Sequence, residues 1–576
     1  MAPRSYDQYQ PTFADRRRWN TPDVLRLRAQ THGERVYLDV PSTGETYSYA
    51  ETLELAERVA RGLLGAGGVP GDRLLIMLPN CSAYVLAWLG SSLAGIAEVP
   101  INTAYRGSFL EHQASTVTPR MVVTHPDYAG RFAESAESVR SVERFWLAGG
   151  DAAARDAAAT TLQQAGFAVS EWEELLAAPV GNPGPDSPVG GAGDPSGTAI
   201  ELPPVRHSDL ASVFFTSGTT GLSKGVMMPH AHMHLFADQC VSLTRLSDAD
   251  VYMSAGPLFH GNSHFLAAHP ALIAGARYVL QERFSASAWG RQIRDSGATV
   301  TNFVGVMMDF VWQQPARPDD ADNELRCIFA APTASSILEA FKRRFGVEAF
   351  VEVFGLTETC MAILSPYGED RPPGAAGLAN SDWFDVRLVD PETDEEVPVG
   401  ELGELVVRAR CPWTQSVGYY NMPEATQEAW RNLWWHTGDG LRRDADGWYY
   451  FVDRLKDAIR RRGENISSYE VEQALLAHPA VAEVAVVATP ADEEAGEDEV
   501  LAVIVPEPGA EISAAAIWEY ADRRLPYFAV PRYLRFVAEL PKTPSEKVRK
   551  VELRAAGAGT GTHDRGPAPR RGGRRT

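Results

Sequence analysis

The stretch Phe214-Phe215-Thr216-Ser217-Gly218-Thr219-Thr220-Gly221-Leu222-Ser223-Lys224-Gly225-Val226 carries the most specific signal in the chain. An apolar, strand-like run at 212–215 leads into ten residues, 216–225, that contain three glycines, five hydroxyls and one lysine. Glycines let backbone N–H groups turn towards an anion, hydroxyls donate further hydrogen bonds, and the lysine adds positive charge. This composition predicts a loop that binds the phosphates of a nucleoside triphosphate.

The loop is not a Walker A loop, which requires the pattern G-x-x-x-x-G-K-[ST]. Counting from Gly218, Ser223 stands where the second glycine belongs, and Lys224 is followed by Gly225. A plain polar surface turn is the other interpretation. So many hydroxyls anchored to a strand and joined by one lysine argue against it.

Before this loop, the chain alternates helical and strand patterns over residues 20–180. Apolar residues have helical spacing at 49–64 and again at 83–95, and between them lies the unbroken apolar run 74–78. Such a run is typical of a buried parallel strand, and the alternation predicts layered α/β architecture.

Later segments differ in composition. Residues 179–204 are rich in Gly, Pro, Asp and Ser without periodicity, which predicts an exposed linker. Short β patterns with aromatics follow at 403–451. From residue 453 onward about 100 residues have their own α and β signals, enough for a small domain.

The length, composition and net charge of the chain limit the class of protein to which it can belong. The 576 residues are 44% hydrophobic and 22% charged, which excludes disorder along the whole chain and indicates several domains. With 54 basic and 75 acidic residues the net charge is −21, which argues against a nucleic-acid partner.

The chain has five scattered cysteines without a CxxC pair, which favours reduced thiols over disulfides or a zinc site. The first residues show no apolar signal core, and the apolar stretch 84–101 is interrupted by Ser91, Ser92 and Glu98. We therefore expect a cytoplasmic protein without a membrane span.

Residues 216–225 resemble the signature loop of the adenylate-forming superfamily, which comprises acyl-CoA synthetases, peptide-synthetase adenylation domains and firefly luciferases. Further motifs of this family follow in order over residues 25–553. Residues 100–107, with the ending Ser545-Glu546-Lys547, are most similar to the crotonobetaine/carnitine-CoA ligase type.

The resemblance implies the fold. We expect a large N-terminal domain at 20–453, built of layered α/β subdomains and a β-rich subdomain, that holds the ATP and acyl pockets. A small, mobile α+β C-terminal domain at 454–553 would carry the catalytic lysine. Beyond the resemblance, the Gly-, Ala- and Pro-rich composition of residues 555–576, with five arginines, predicts a disordered basic tail at 554–576.

The resemblance also implies a nucleotide site. Its residues are Thr216, Ser217, Gly218, Thr219, Thr220, Gly221 and Lys224 in the loop, Ala331, Pro332, Phe354 and Gly355 around adenine, and Asp439 and Arg454 at the ribose. A carboxylate accepts well from two vicinal hydroxyls, which suits Asp439. Phe354 stands where the family usually has Tyr, so the ring is kept and a hydroxyl is missing.

Catalytic residues are implied by three further motifs. Thr357 and Glu358 follow an apolar run, and a hydroxyl beside a carboxylate suits a phosphate contact and a Mg²⁺ ligand. Lys547 would neutralise charge that develops during adenylation. Its neighbour Glu546 replaces the usual glycine. His260, in Pro257-Leu258-Phe259-His260-Gly261-Asn262, belongs to the motif that gates the acyl pocket.

Lys456 lies at the family's hinge, about which the small domain would rotate between two catalytic poses. Residues 302–306 and 352–353 are expected to line the acyl pocket. The run Arg460-Arg461-Arg462 would either contact phosphates of coenzyme A or form a solvated basic turn.

The implied reaction consumes ATP with Mg²⁺, converts a small-molecule carboxylic acid into an acyl-adenylate, and then forms a thioester with coenzyme A. Three alternatives stay open: a stand-alone enzyme that loads a carrier protein, a diazotase that activates nitrite for an aromatic amine, and a non-catalytic nucleotide-binding protein. The identity of the acid and the oligomeric state stay open as well.

Overall fold

The computed structural model describes residues 9–179, 200–216, 223–304, 307–331, 333, 337–454, 458–461, 464–490, 498–510, 512–541, 548 and 550–566. These form two compact units. The first unit comprises Met1–Thr103, Thr116–Phe214 and Gly225–Asp453. The second comprises Ala104–Ser115, Phe215–Lys224 and Arg454–Thr576.

The strands are β1 (Val36–Val40), β2 (Glu45–Ser48), β3 (Arg73–Met77), β4 (Ala97–Pro100), β5 (Met121–Thr124), β6 (Arg144–Leu147), β7 (Ala168–Glu171), β8 (Leu210–Thr216), β9 (Lys224–Pro229), β10 (Val251–Ser254), β11 (Arg277–Leu280), β12 (Val300–Val304), β13 (Cys327–Ala331), β14 (Ala349–Leu356), β15 (Cys360–Leu364), β16 (Gly377–Ala379), β17 (Phe384–Val389), β18 (Gly403–Ala409), β19 (Trp435–Arg443), β20 (Trp448–Arg454), β21 (Ala458–Arg461), β22 (Glu464–Ser467), β23 (Val481–Pro490), β24 (Asp498–Pro506), β25 (Tyr533–Phe536) and β26 (Thr562–Asp564).

The helices are α1 (Thr21–His32), α2 (Tyr49–Gly65), α3 (Ser82–Leu93), α4 (Ser108–Val117), α5 (Ala129–Glu134), α6 (Ala152–Gln164), α7 (Trp172–Leu176), α8 (His230–Thr244), α9 (Gly261–Ser263), α10 (His269–Ala274), α11 (Ala286–Ser296), α12 (Met307–Trp312), α13 (Leu338–Phe345), α14 (Pro423–Ala429), α15 (Ser468–Leu476), α16 (Ala514–Arg524) and α17 (Lys550–Ala556). A π-helical turn, His264–Ala268, joins α9 to α10.

One sheet of the first unit has seven strands in the order β7-β6-β5-β3-β4-β8-β9. Its strands β3 to β8 pair in parallel, and β3 is buried as its unbroken apolar run predicts. The predicted helix at 49–64 is α2, which begins with a capping box between Ser48 and Glu51. Helix α3 is apolar on all sides, and every one of its residues is buried.

The other sheet has thirteen strands, in the order β17-β18-β19-β20-β16-β15-β14-β13-β12-β10-β11-β1-β2. From β1 through β14 the neighbours pair in parallel, and beyond β14 they pair in antiparallel fashion. The predicted α/β class with a β-rich subdomain is therefore confirmed. The change of pairing occurs at the β14–β15 hairpin.

The second unit contains a four-stranded sheet, β23-β24-β25-β26, and the β21–β22 hairpin. Arg461 of β21 is fully buried, forms an ion pair with Glu499 at 2.6 Å, and donates to the carbonyls of Phe528 and Val530. Arg461 is therefore neither a solvated residue of a basic turn nor available to phosphates of coenzyme A, the two interpretations of the run 460–462. Its guanidinium instead joins three segments inside this unit.

The predicted disordered tail from residue 554 needs correction over its first part. Helix α17 extends to Ala556, and β26 pairs with β25, so an edge strand gains a partner. Arg565 fixes this end by a bidentate contact with Asp522. Residues 567–576 of the predicted tail and 180–199 of the predicted linker lie outside the described residues.

Among the described residues, none of the helices is both long and apolar enough to cross a membrane.

The buried ion pair of Arg461 is testable. We expect Arg461→Ala to destabilise the second unit by about 3 kcal/mol, because it removes the near countercharge of the buried Glu499 and leaves only Arg532, at 3.8 Å. Arg523→Ala breaks an exposed i,i+4 pair and should cost less than about 1 kcal/mol. Urea unfolding followed by tryptophan fluorescence compares the two, and equal losses would contradict a structural role for Arg461.

Candidate active site

The β14–β15 hairpin places Thr357 and Glu358 at the end of a parallel strand. A Cβ atom on Gly355 would lie 2.4 Å from the carbonyl oxygen of Cys360, so only glycine fits where the two strands cross so closely. Cys360 itself has a φ of +56°. This tight reversal turns the chain immediately after the strand and leaves Thr357 half-buried and Glu358 buried.

Glu358 is tied to the strand that leaves the predicted phosphate loop. The hydroxyl of Tyr419 donates to its Oε1 at 3.0 Å, and the backbone N–H of Ser416 donates to its carbonyl oxygen at 2.9 Å. Tyr419 also pairs with Val226 of β9. Tyr419 thereby links the predicted Mg²⁺ ligand to β9.

The loop itself is described only at its two ends. Thr216 ends β8 and Lys224 begins β9, and both side chains are half-buried. Ser217, Gly218, Thr219, Thr220 and Gly221 lie outside the described residues.

Three of the residues predicted to surround adenine lie on β13 and β14, which run side by side. Ala331 ends β13, and Phe354 lies on β14 with its ring stacked on Phe451, at 5.7 Å between centroids and 27° between planes. The missing tyrosine hydroxyl therefore does not prevent an aromatic surface here. Pro332 lies outside the described residues.

Glu352, which the sequence predicts to line the acyl pocket, is a buried carboxylate that holds the segments of β13 and β14 together. Glu352 of β14 accepts from the guanidinium of Arg371 at 2.8 Å, from the backbone N–H of Thr333 at 3.1 Å, and from the Thr333 hydroxyl. Burial raises the pKa of Glu352, while Arg371 and Thr333 act in the opposite direction. The three residues join the chain after β13 to β14.

Asp439 lies on β19 and is fully buried. Before it, Gly438 has a φ of +72°, and its N–H donates to Glu404 at 2.9 Å. The Thr437 hydroxyl accepts from the N–H of Asp439 at 3.1 Å. These contacts fix the backbone of the predicted ribose ligand.

The other predicted residues of this part of the chain are not tested. Arg454 ends β20, and its side chain is outside the described set. Lys456 and Lys547 lie wholly outside it. Their roles stay predictions.

His260 occupies the N-cap position of the short helix α9 without a capping bond from its side chain. It is half-buried, and its ring centroid lies 5.0 Å from that of Phe259. Asn80 holds the preceding loop, because its amide donates to the carbonyl of Gly256 at 2.8 Å and accepts from the N–H of Leu258 at 2.9 Å. A side chain from another sheet thus positions the predicted acyl-pocket motif.

Within the second unit, Ser223 is held by three side chains. Its N–H donates to the Glu470 carboxylate, its carbonyl oxygen contacts His112 Nε2 at 2.8 Å, and its hydroxyl accepts from Gln113 at 3.3 Å. Burial raises the pKa of Glu470 to about 7, although the bonds from Ser223 lower it in part. Burial also lowers the pKa of His112.

The sequence singled out the residues of the hairpin, Asp439 and the loop ends, whose roles stay predictions, and it missed the residues that contact them. Tyr419, Arg371 and Glu470 have no motif of their own, and Thr333 adjoins the predicted adenine residues Ala331 and Pro332. Their only sequence signal is proximity to a motif, because their partners are distant along the chain.

Comparison with known proteins gives the class of the chain. The AMP-binding enzyme family matches residues 25–420, and its C-terminal domain matches residues 470–547. Since the first match alone covers more than half of the chain, the protein belongs to the AMP-binding enzyme family.

Individual proteins that are similar to this chain support the family assignment. The chain is 30% identical over 514 residues to the crotonobetaine/carnitine–CoA ligase of Salmonella typhi, covering 88% of this chain and 93% of the relative. ATP-bound MatB of Rhodopseudomonas palustris is 26% identical, with a TM-score of 0.61, over 93% of this chain and 99% of MatB.

The o-succinylbenzoate CoA synthetase of Bacillus subtilis, at 24% identity and a TM-score of 0.74 over 93% of this chain and 98% of that one, shares the fold. The protein is an AMP-forming acyl-CoA ligase. It uses ATP, Mg²⁺ and coenzyme A to convert a carboxylic acid into a thioester through an acyl-adenylate. Of the alternatives, nitrite activation and non-catalytic binding are not favoured.

The Glu352 contact gives a prediction. Glu352→Gln keeps an acceptor for Thr333 but leaves the half-buried Arg371 without its countercharge, so we expect the KM for ATP to rise about tenfold, which is ~1.4 kcal/mol, with a smaller change in kcat. The exposed Glu348→Gln, beside the same strand, is the matched control. Steady-state pyrophosphate release measures both, and an unchanged KM for ATP in Glu352→Gln would contradict the assignment.

The raised pKa of Glu470 predicts a pH dependence. The folded state holds the proton more tightly than the unfolded state, so stability is fully present below the ordinary value of 4.5 and declines as pH rises to about 7. The loss is about 1.4 kcal/mol per unit of pKa difference.

Glu470→Gln should remove this decline, while the exposed Glu519→Gln should retain it. Urea unfolding between pH 5 and 8 measures the difference between wild type and each variant. Parallel profiles for wild type and Glu470→Gln would contradict the prediction.

Proposed function

We propose that the residues around the β14–β15 hairpin carry out the adenylation step. A carboxylate oxygen of the acid attacks the α-phosphorus of ATP, the bond to the bridging oxygen breaks, and pyrophosphate leaves. The protein acts by position and charge in such a transfer. Thr357 contacts the α-phosphate, and the residues from Thr216 to Lys224 hold the outer phosphates.

Glu358 is the proposed Mg²⁺ ligand. Mg²⁺ keeps much of its water and needs only one or two carboxylates together with substrate phosphates, which agrees with one fixed carboxylate. Among the described residues there is no cluster of three or more His, Cys, Asp or Glu side chains that suits a metal. When bound, Mg²⁺ neutralises charge on the phosphates.

The observation that carries this proposal is the contact chain from Glu358 through Tyr419 to β9. It connects the strand-end carboxylate with the exit of a loop whose composition suits phosphates. Around this centre, Phe354 and Gly355, with Ala331 and Pro332, would enclose adenine. Asp439 and Arg454 would bind the ribose.

The second half-reaction uses the C-terminal domain, which we assign to residues 454–553. Lys547 supplies positive charge during adenylation. It then moves out of the active site as the C-terminal domain rotates about Lys456. The thiol of coenzyme A attacks the mixed anhydride, loses its proton to solvent, and releases AMP. His260 lies at the mouth of the acyl pocket in this proposal.

Free coenzyme A is the proposed acceptor, in line with the ligase names of the relatives. A separate carrier protein is the competing acceptor, and AMP release that needs no coenzyme A would favour it. A cytoplasmic location is part of the proposal, supported by five cysteines that are all free thiols.

The role of Lys547 has a direct test. Lys547→Ala should lower the rate of acyl-adenylate formation by about 100- to 1,000-fold, because one preorganised positive charge is lost from the transition state. The same variant should convert a synthetic acyl-adenylate and coenzyme A into thioester at a rate close to that of wild type.

Lys542→Ala, five residues earlier in the same motif, is the matched control and should leave both half-reactions nearly unchanged. Pyrophosphate release reports the first step and thioester absorbance the second. An equal loss in both half-reactions of Lys547→Ala would refute the assigned role.

A further inference from the structure

We propose that Asn302 and Asn262 form an amide pair that selects carboxylic acids carrying a hydroxyl or carboxamide group. The inference rests on the proposed function, because it names the substrate class of the same site. Asn302 lies in the large sheet of the first unit.

Asn302 lies on β12, near the carboxyl end of a parallel strand. Its neighbour Phe303 packs into the cluster on one face of the sheet, with Trp289 at 5.4 Å between ring centroids. Side chains alternate along a strand, so Asn302 points to the opposite face. Two residues later, Val304 pairs with Ala331, which is predicted to lie beside adenine. Ligands of open parallel sheets bind beyond such strand ends.

The orientation of the Asn302 amide is fixed by its partner. Its Nδ2 lies 3.1 Å from the backbone carbonyl oxygen of Asn262 and also contacts Asn262 Oδ1. Both partners accept hydrogen bonds only, so the NH₂ end must face them. Asn262 lies on α9, two residues after His260 of the predicted acyl-pocket motif.

The amide oxygen of Asn302, Oδ1, is therefore turned away from Asn262 and is a hydrogen-bond acceptor of fixed orientation. Asn302 is 4% exposed, and its Oδ1 has no hydrogen-bond partner among the described residues. A buried acceptor without a donor is costly, and buried polar atoms usually have partners. A ligand that donates to Oδ1 would remove this cost.

The neighbouring side chains narrow the ligand chemistry. Asn262 is half-buried, and with its Oδ1 facing Asn302 its own NH₂ group is directed elsewhere as a donor. A donor and an acceptor side by side, both uncharged, complement a hydroxyl or a carboxamide. The hydrogen bonds of the Asn302 amide add no charge, because both of its partners are oxygens of Asn262.

The test is a pyrophosphate-release assay with ATP, Mg²⁺, coenzyme A and matched acids: butanoic, 3-hydroxybutanoic, 4-hydroxybutanoic and succinamic acid, and an acid bearing a trimethylammonium group. We expect kcat/KM to be at least about tenfold higher for a hydroxyl or amide acid than for butanoic acid. Calorimetric binding of the same acids gives a readout that does not need turnover.

Asn302→Leu should abolish this preference while leaving the KM for ATP within about twofold, and Asn262→Ala should weaken it. Thr301→Val is the matched control on the same strand, since the Thr301 hydroxyl bonds the carbonyl of Met253. It should keep the preference. A thermal unfolding midpoint near that of wild type would show that Asn302→Leu is folded. If Asn302→Leu does not fold, the acid preference of Asn262→Ala tests the inference instead.

A preference for butanoic or the trimethylammonium acid, or an unchanged preference in a folded Asn302→Leu, would overturn the inference and leave the ligase function intact. Absence of turnover with every acid would instead count against the proposed function. The calorimetric preference among the same acids would then decide the inference.

Discussion

The close approach of β14 and β15 at Gly355 is the constraint on which the site depends. A parallel sheet turns into an antiparallel one at this point, and the backbones approach so closely that a Cβ atom would collide with the carbonyl of Cys360. The chain must therefore reverse directly after the strand. Thr357 and Glu358 occupy the reversal, so their positions follow from backbone geometry more than from side-chain packing.

Several buried polar pairs in the two units join segments that are not neighbours in sequence. Glu352 with Arg371, Glu98 with His264, and Arg461 with Glu499 are the clearest cases. A buried pair contributes little net stability compared with an apolar packing of similar volume, but losing one partner is costly. Such pairs therefore fix which segments lie together, and in the case of Glu352 they fix the wall beside the proposed adenine site.

The chemistry assigned to the protein needs few reacting side chains. An acid, ATP and a thiol bring the reacting atoms, and the chain contributes position, one fixed carboxylate and positive charge. This division explains why one fold serves relatives with different acids. In our proposal, Asn302 and Asn262 distinguish one acid from another, and a different set of residues holds the nucleotide.

Local signals in the sequence determined the α/β class, the strand β8 that precedes residues 217–222, the buried run of β3 and the helix α2. These depend on neighbours along the chain, which periodicity, glycine content and motif spacing record. Tertiary structure alone decided that Tyr419 supports Glu358, that Arg371 meets Glu352, that Arg461 is internal, and that the chain after residue 554 adds a strand to a sheet edge. The physical reason is that these contacts join residues that are not neighbours in sequence, and a polar side chain by itself does not reveal which distant partner will satisfy it.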